Sequence, residues 1–257
     1  MNTNNFNKKT AVIIGGTSGM GKATAKLLLS LGVTVVVASR TEKSVTEAVD
    51  ELSAIGQVSG LQVDVTSELS VDSFIGSMGK IAKIDYLVNA SGIFRPKPFL
   101  DNTADEYDAL LNINKGFYFI TQAIARKMKE NGGGAIVNVG SYWATHAIKG
   151  TPTAAYSMAK AGLQAFTQQI AMELAAYKIR VNAIAPGVVE TNVLNALMDS
   201  KEGVRDAYAG LNGIHPMGRN GQADEIANTI VHLLSDNASW VTGAVWNIDG
   251  GMSAGRS

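Results

Sequence analysis

Short runs of β-branched and apolar residues alternate with longer amphipathic stretches along the whole chain. The runs fall at residues 11–14, 34–38, 61–63, 86–88, 135–139, 180–184 and 244–248. Each is nearly continuous in apolar residues, as a parallel strand covered on both faces must be. Between the runs lie helical patterns. Ala223, Ile226, Ala227, Ile230, Val231 and Leu234 repeat at i, i+3, i+4 and i+7, the stripe of a core-facing helix. Leu110, Phe117, Ile120, Ile124 and Met128 form a second stripe. Seven strand runs with intervening helices predict one α/β domain over residues 1–257, a doubly wound seven-stranded parallel sheet with helices on both faces. Its connections should be right-handed. Residues 185–241 hold no strand run, and 192–221 show no clear helix. A stretch at about 190–220 is therefore expected to be a substrate-binding loop or lid.

Composition narrows the function. Apolar residues make up 46% of the chain and charged ones 17%, as in a globular protein with a large core. A formal net charge of +0 leaves no field to recruit nucleic acid or an anionic membrane. The absence of cysteine excludes disulfides, thiolate catalysis and zinc held by sulfur, and fits a reducing, cytoplasmic setting. No carboxylate–histidine cluster has metal-ligand spacing, so no metal is expected. No run reaches transmembrane length. The first residues, MNTNNFNKK, lack the apolar core of a signal peptide, and residues 1–8 are expected to be a disordered polar tail.

The candidate chemistry begins at the first strand. It runs into Gly15, Gly16, Thr17, Ser18, Gly19, Met20 and Gly21. Glycine is needed where the chain turns tightly and where backbone must approach a phosphate. The helix that follows offers free N–H groups and the positive end of its dipole. A glycine cluster alone is an ordinary strand–helix turn; after a strand and before a helix, it reads as a dinucleotide site. The second strand ends in Ser39, Arg40 and Thr41, with no carboxylate at the position that binds the ribose hydroxyls in NAD sites. A hydroxyl followed by a guanidinium suits a 2′-phosphate, which predicts NADP(H). The plainer alternative is that Arg40 is a solvated loop charge and both cofactors are accepted.

Tyr156 and Lys160 stand four apart in an Ala-rich helical stretch, on one helix face. By itself such a pair is also a common surface feature. Ser141 closes the fifth strand run, at the sheet edge where open α/β sheets hold ligands.

The spacing Gly15, Gly19, Gly21 resembles the T-G-x-x-x-G-x-G fingerprint of the short-chain dehydrogenase/reductase family, with Ile14 in place of Thr. The resemblance runs from Lys9 to about Met252 and implies a Rossmann-type fold. It assigns Ser141, Tyr156 and Lys160 to the family's catalytic Ser and Y-x-x-x-K. It implies cofactor contacts from Asp64 and Val65, and from Asn89, Ala90, Ser91 and Gly92, which stand for N-N-A-G with the second Asn replaced by Ala90. Pro186, Gly187, Val188, Val189, Glu190 and Thr191 are similar to P-G-x-x-x-T, which makes Pro186, Gly187, Val189 and Thr191 nicotinamide-side contacts. The family's catalytic Asn precedes Gly by three positions, whereas Asn114 precedes Gly116 by two. Upstream spacing selects Asn114, and downstream spacing would land on Ile113.

The chemistry needs these residue types. Hydride addition to a carbonyl carbon leaves an oxygen that must gain a proton. Tyrosine titrates near 10, and a neighbouring ammonium should lower that value. Ser141 Oγ should hold the substrate oxygen. Phe94 and Val188 border the cleft by their motif neighbours. Trp143, with Tyr142, either walls a substrate pocket or packs its own loop. His146 and His215 read as an exposed loop imidazole and a structural residue. The expectation is an NADP(H)-dependent oxidoreductase for a small carbonyl or secondary-alcohol substrate. Two alternatives stay open, 3-oxoacyl-thioester reduction and a non-catalytic NADP sensor on the same fold. Family members of this length suggest a homotetramer, with interfaces from helices at 104–129 and 154–177 and the last strand.

Overall fold

In the computed structural model the described residues are 6–196, 198 and 200–255. Seven strands form one parallel sheet: β1 (Thr10–Ile14), β2 (Thr34–Ser39), β3 (Val58–Gln62), β4 (Tyr86–Asn89), β5 (Gly134–Val139), β6 (Ile179–Pro186) and, last in the chain, β9 (Val245–Ile248). Their order is β3-β2-β1-β4-β5-β6-β9, and every neighbouring pair is parallel. Two short strands, β7 (Val189–Glu190) and β8 (Gly221–Gln222), pair with each other.

Helices cover both faces. On one side α1 (Gly19–Ser30), α2 (Glu42–Leu52) and α7 (Ala223–Leu234) bury Leu28, Leu52, Ile226 and Ile230 against Ala11, Ile13, Val35 and Val137. On the other, α3 (Glu68–Met78), α4 (Ala104–Glu130) and α5 (Ala154–Leu174) bury Phe74, Phe117, Ile120 and Leu163 against Val12, Ile14, Leu87 and Ile136. Both faces are filled because the strands are apolar on both sides. The strand order reverses between β1 and β4. A crevice at such a switch point, outside the strands' carboxyl ends, is where this architecture binds ligands.

Three expectations need correction. The third strand lies at 58–62, not 61–63. It is a sheet edge with mixed exposure, and Gly60 at its centre has no side chain to mark it. A Cβ at Gly60 would stand 2.3 Å from Val45 Cγ1, so the glycine lets α2 lie close. The polar tail is not wholly free. Phe6 is buried, its ring 6.0 Å from that of Tyr86. One aromatic side chain suffices to anchor an otherwise polar segment; residues 1–5 lie outside the described residues.

The late segment also has regular structure where no helix was placed. Helix α6 (Lys201–Leu211) begins at Ser200, whose hydroxyl accepts from Gly203 N at 3.0 Å. Only Tyr208 of this helix is buried, so its apolar stripe is too thin to read in sequence.

Candidate active site

The glycine turn leaves β1 at the switch point. Gly15 N donates to Ala38 O at 2.8 Å, and Gly15 takes φ +83°. A Cβ on Gly15 would lie 2.6 Å from Ser91 N, and one on Gly21 would lie 2.2 Å from Gly15 O. The turn is therefore closed to side chains by the Ala90–Ser91 backbone, and by its own. No side chain caps the start of α1. Its first N–H groups remain available to an anion. Gly19 faces Thr191, which a Cβ would approach to 3.3 Å, so Thr191 sits over the turn.

A groove continues from this turn to the end of β2. Thr17, Ser18, Lys22, Ser39, Arg40 and Thr41 line it. Two carboxylates, Glu47 and Glu51, lie on its wall. Glu51 pairs with Lys22 and, at 2.9 Å, with Lys26. The bonds from Lys22 and then Lys26 hold its carboxyl down to about 2. Gln62 Nε2 donates to Arg40 O at 2.9 Å and fixes the loop that carries the guanidinium. With no carboxylate at Ser39, backbone donors at the turn and cations at both groove walls, the residues present fit a phosphorylated dinucleotide.

Asp64 closes the turn after β3, accepting from Thr66 N at 2.9 Å, and Val65 packs on Gly116. Asn89 is fully buried, and its side chain faces inward. Its Nδ2 donates to Thr121 Oγ1 at 3.0 Å and Asn138 Oδ1 at 2.8 Å, and Asn138 Nδ2 donates to Thr167 Oγ1 at 2.8 Å. This chain ties β4, β5, α4 and α5 together below the crevice. Its members Thr121, Asn138 and Thr167 were not singled out in sequence, where isolated polar residues inside apolar runs give no signal.

Above it, α5 is bolted to the end of β5. Lys160 Nζ donates to Val139 O at 2.7 Å, and Gln164 Nε2 donates to Ser141 O at 3.2 Å. Tyr156, Lys160 and Gln164 recur every four residues, so one face of α5 presents all three to the same strand end. Ser141 is buried and accepts from Trp143 N at 3.3 Å, and its hydroxyl acts to lower the Tyr156 phenol. The Lys160 ammonium lies 5.9 Å from the Tyr156 ring centroid and 3.7 Å from where a Gly92 Cβ would be. Ser141, Tyr156 and Lys160 thus converge beside the turn after β4.

The electrostatics differ from the sequence expectation. Burial pushes the Tyr156 phenol above its ordinary value, against a lowering bond from Ser141. Burial also lowers the Lys160 ammonium to about 8. An ammonium that is itself desolvated and turned toward Val139 O does little for the phenolate, so the expected lowering by Lys160 is not seen in the protein alone.

Asn114 Nδ2 donates to Ala159 O at 2.6 Å, bracing α5 at the residue before Lys160, while Ile113 is buried in the core. Phe94 meets the Tyr156 ring edge-on at 5.2 Å and the Trp143 ring at 6.0 Å. Trp143 is buried. His146 is half-buried rather than exposed, its ring stacked 4.5 Å from Tyr142. On the far wall, Val188 N donates to His215 Nε2 at 3.2 Å, and Tyr208 OH bonds both Thr191 N (3.1 Å) and Thr191 O (2.9 Å). Pro186, Gly187 and Val189 complete that wall. Tyr208 and Gln164 are the site-shaping residues that sequence reasoning missed, because neither belongs to a motif.

A family model described as enoyl-(acyl carrier protein) reductase matches residues 15–253. The 3-oxoacyl-[acyl-carrier-protein] reductase FabG of Salmonella typhimurium is 34% identical over 249 residues, covering 96% of this chain and 98% of that one. A subunit of (2S)-[(R)-hydroxy(phenyl)methyl]succinyl-CoA dehydrogenase from Thauera aromatica is also 34% identical, over 95% and 96% of the two chains. Among solved structures, a short chain dehydrogenase/reductase family protein superposes with TM-score 0.86 at 30% identity, covering 98% of this chain and 100% of that one. L-Sorbose reductase from Gluconobacter frateurii, complexed with NADPH and L-sorbose, superposes with TM-score 0.87 at 26% identity, over 96% and 97%. The chain belongs to the short-chain dehydrogenase/reductase family, and its class is that of an oxidoreductase. Among the described residues no helix is long and apolar enough to cross a membrane.

Proposed function

We propose that this protein interconverts a small carbonyl compound and the corresponding secondary alcohol with NADP(H), using Tyr156 as the general acid and base. The observation that carries the reading is the convergence of Ser141, Tyr156 and Lys160 where β5 and α5 meet, beside the glycine turn. Gly15, Gly19, Gly21 and the α1 N-terminus would hold the diphosphate, Ser39, Arg40 and Thr41 the 2′-phosphate, and Asp64 and Val65 the adenine side. Ser91, Gly92, Val188 and Thr191 would border the nicotinamide. When bound, the cofactor supplies or accepts the hydride.

The chain's own groups handle the proton. Ser141 Oγ holds the carbonyl oxygen and stabilises charge as it develops. Tyr156 OH gives its proton to that oxygen as the carbon accepts hydride; in the reverse direction the phenolate removes the alcohol proton. Lys160 holds the ribose side of the site and favours the phenolate once it faces Tyr156. Asn114 positions Lys160 through Ala159. The segment at 190–220 would close over the substrate, anchored by Tyr208 to Thr191.

Reduction of a 3-oxoacyl thioester is the second reading, favoured by the activity in the names of several relatives. The test is oxidation of NADPH with a panel of plain ketones and 3-oxoacyl thioesters. Turnover of either class supports carbonyl reduction, and turnover of neither refutes it.

A homotetramer is part of the same reading. Tyr118 and Phe119 on α4, Met172 on α5 and Trp240 before the edge strand β9 are large apolar side chains left exposed in a single chain. Burial between copies would remove that area from water.

A further inference from the structure

Helix α6 (Lys201–Leu211) buries one side chain, Tyr208. A helix with so thin an apolar face docks through the contacts of that one residue. The Tyr208 hydroxyl makes two bonds, and both go to one residue. It accepts from Thr191 N at 3.1 Å and donates to Thr191 O at 2.9 Å. A phenol has one proton to give, so its donor and a lone pair are both spent on the backbone of Thr191. Asn220 ties the same helix from the other side. Its Nδ2 donates to Tyr208 O at 2.7 Å and to Glu190 Oε1 at 3.3 Å. Both links land on the Glu190–Thr191 step.

That step borders the cofactor groove. A Cβ on Gly19 would lie 3.3 Å from both Thr191 Cβ and Thr191 Cγ2, so the Thr191 side chain covers the glycine turn at the start of α1. Asn192, the next residue, lines the groove together with Thr17, Ser18, Ser39 and Arg40. No side chain caps the start of α1, and its free N–H groups are the donors a diphosphate would take. The backbone that Tyr208 holds is therefore the backbone that walls the phosphate turn.

We propose that Tyr208 is a positioning residue for NADP(H). It acts through Thr191, by fixing the two peptide groups that hold the Thr191 side chain over the diphosphate turn. Because Tyr208 is also the one buried side chain of α6, docking of this helix and binding of the cofactor favour each other. The effect is reciprocal. The factor by which the docked helix tightens NADP(H) equals the factor by which NADP(H) stabilises the docked helix. This rests on the NADP(H) reading of the groove. It adds a residue that stands 17 positions beyond Thr191 and belongs to none of the cofactor motifs.

The test is fluorescence titration of NADPH into the wild type, Tyr208→Phe, Thr191→Ala and the double variant. Tyr208→Phe keeps the ring and removes the hydroxyl. It should raise the NADPH Kd roughly fivefold, the effect of one lost hydrogen bond. In the Thr191→Ala background the same change should move the Kd by less than about twofold, because the side chain it positions is already gone. A tyrosine that only supports the fold would weaken binding equally in both backgrounds. An unchanged Kd in Tyr208→Phe, or equal losses in the two backgrounds, overturns the proposal alone. Amide hydrogen exchange of the wild type needs no variant, and so decides even where a variant fails to fold. Saturating NADPH should slow exchange across Lys201–Leu211 by at least about fivefold. Exchange there that NADPH leaves unchanged overturns the proposal. A wild type that binds no NADPH overturns the cofactor reading and the proposal with it.

Discussion

Lys160 Nζ donates to Val139 O at 2.7 Å, so the residue one helical turn beyond Tyr156 is also the bolt between α5 and the end of β5. Burial lowers this ammonium from an ordinary 10.5 to about 8. Its folded value lies below its unfolded one, so between the two the unfolded chain holds more protons. Lys160 therefore costs stability below pH 8, and that cost fades as pH rises to about 10.5. Lys160→Met should unfold with a flatter pH dependence across this window. Its stability relative to wild type should fall by roughly 1–3 kcal/mol between pH 7.5 and 10.5. Urea melts of both proteins at several pH values measure the difference; parallel curves would remove the desolvation argument.

Gly116 sets two effects against each other. It lies inside α4, where alanine is the better helix former by about 1 kcal/mol. A Cβ there would lie 2.1 Å from Val65 O, a backbone atom that cannot step aside. The clash should win. Gly116→Ala should lose roughly 1–3 kcal/mol, the usual cost of overpacking. A raised melting temperature for this variant would show that α4 can move away from Val65.

The cofactor reading depends on Arg40. Arg40→Asp replaces the groove cation with the carboxylate that repels a 2′-phosphate and holds ribose hydroxyls. The ratio of kcat/KM for NADPH over NADH should fall by at least tenfold and pass below one. If Arg40 is only a solvated loop charge, the ratio will stay within about threefold of wild type, a difference under 1 kcal/mol.

Most of the fold was legible because each strand is apolar on both faces and each long helix carries a stripe. The predicted helices at 104–129 and 154–177 match Ala104–Glu130 and Ala154–Leu174 with a short 3-10 turn after it. What escaped was structure made by contacts distant in sequence. The edge strand β3 pairs with a neighbour, β2, on one side only and is nowhere fully buried, and Phe6 is a single anchor. Helix α6 is held chiefly through Tyr208. The site was legible to the same depth. Motif residues pointed to the Ser141–Tyr156–Lys160 corner, whose addresses are a strand end and one helix face. The direction of a side chain was not readable. Asn89 turns inward to Asn138, and Trp143 is buried with an unused donor. The raised phenol of Tyr156 was likewise hidden, because burial is a property of the folded site.

The central claim is that Tyr156 moves the proton. Its most direct test is Tyr156→Phe, assayed by stopped-flow NADPH oxidation with a ketone that the wild type reduces, alongside NADPH fluorescence titration. Phenylalanine keeps the ring that meets Phe94 edge-on and removes one oxygen, so little packing is lost. Turnover should fall by about 10²–10⁴, the usual contribution of a positioned acid–base group, while the NADPH Kd stays within about threefold. A variant that binds NADPH and turns over at a rate near wild type would contradict the account.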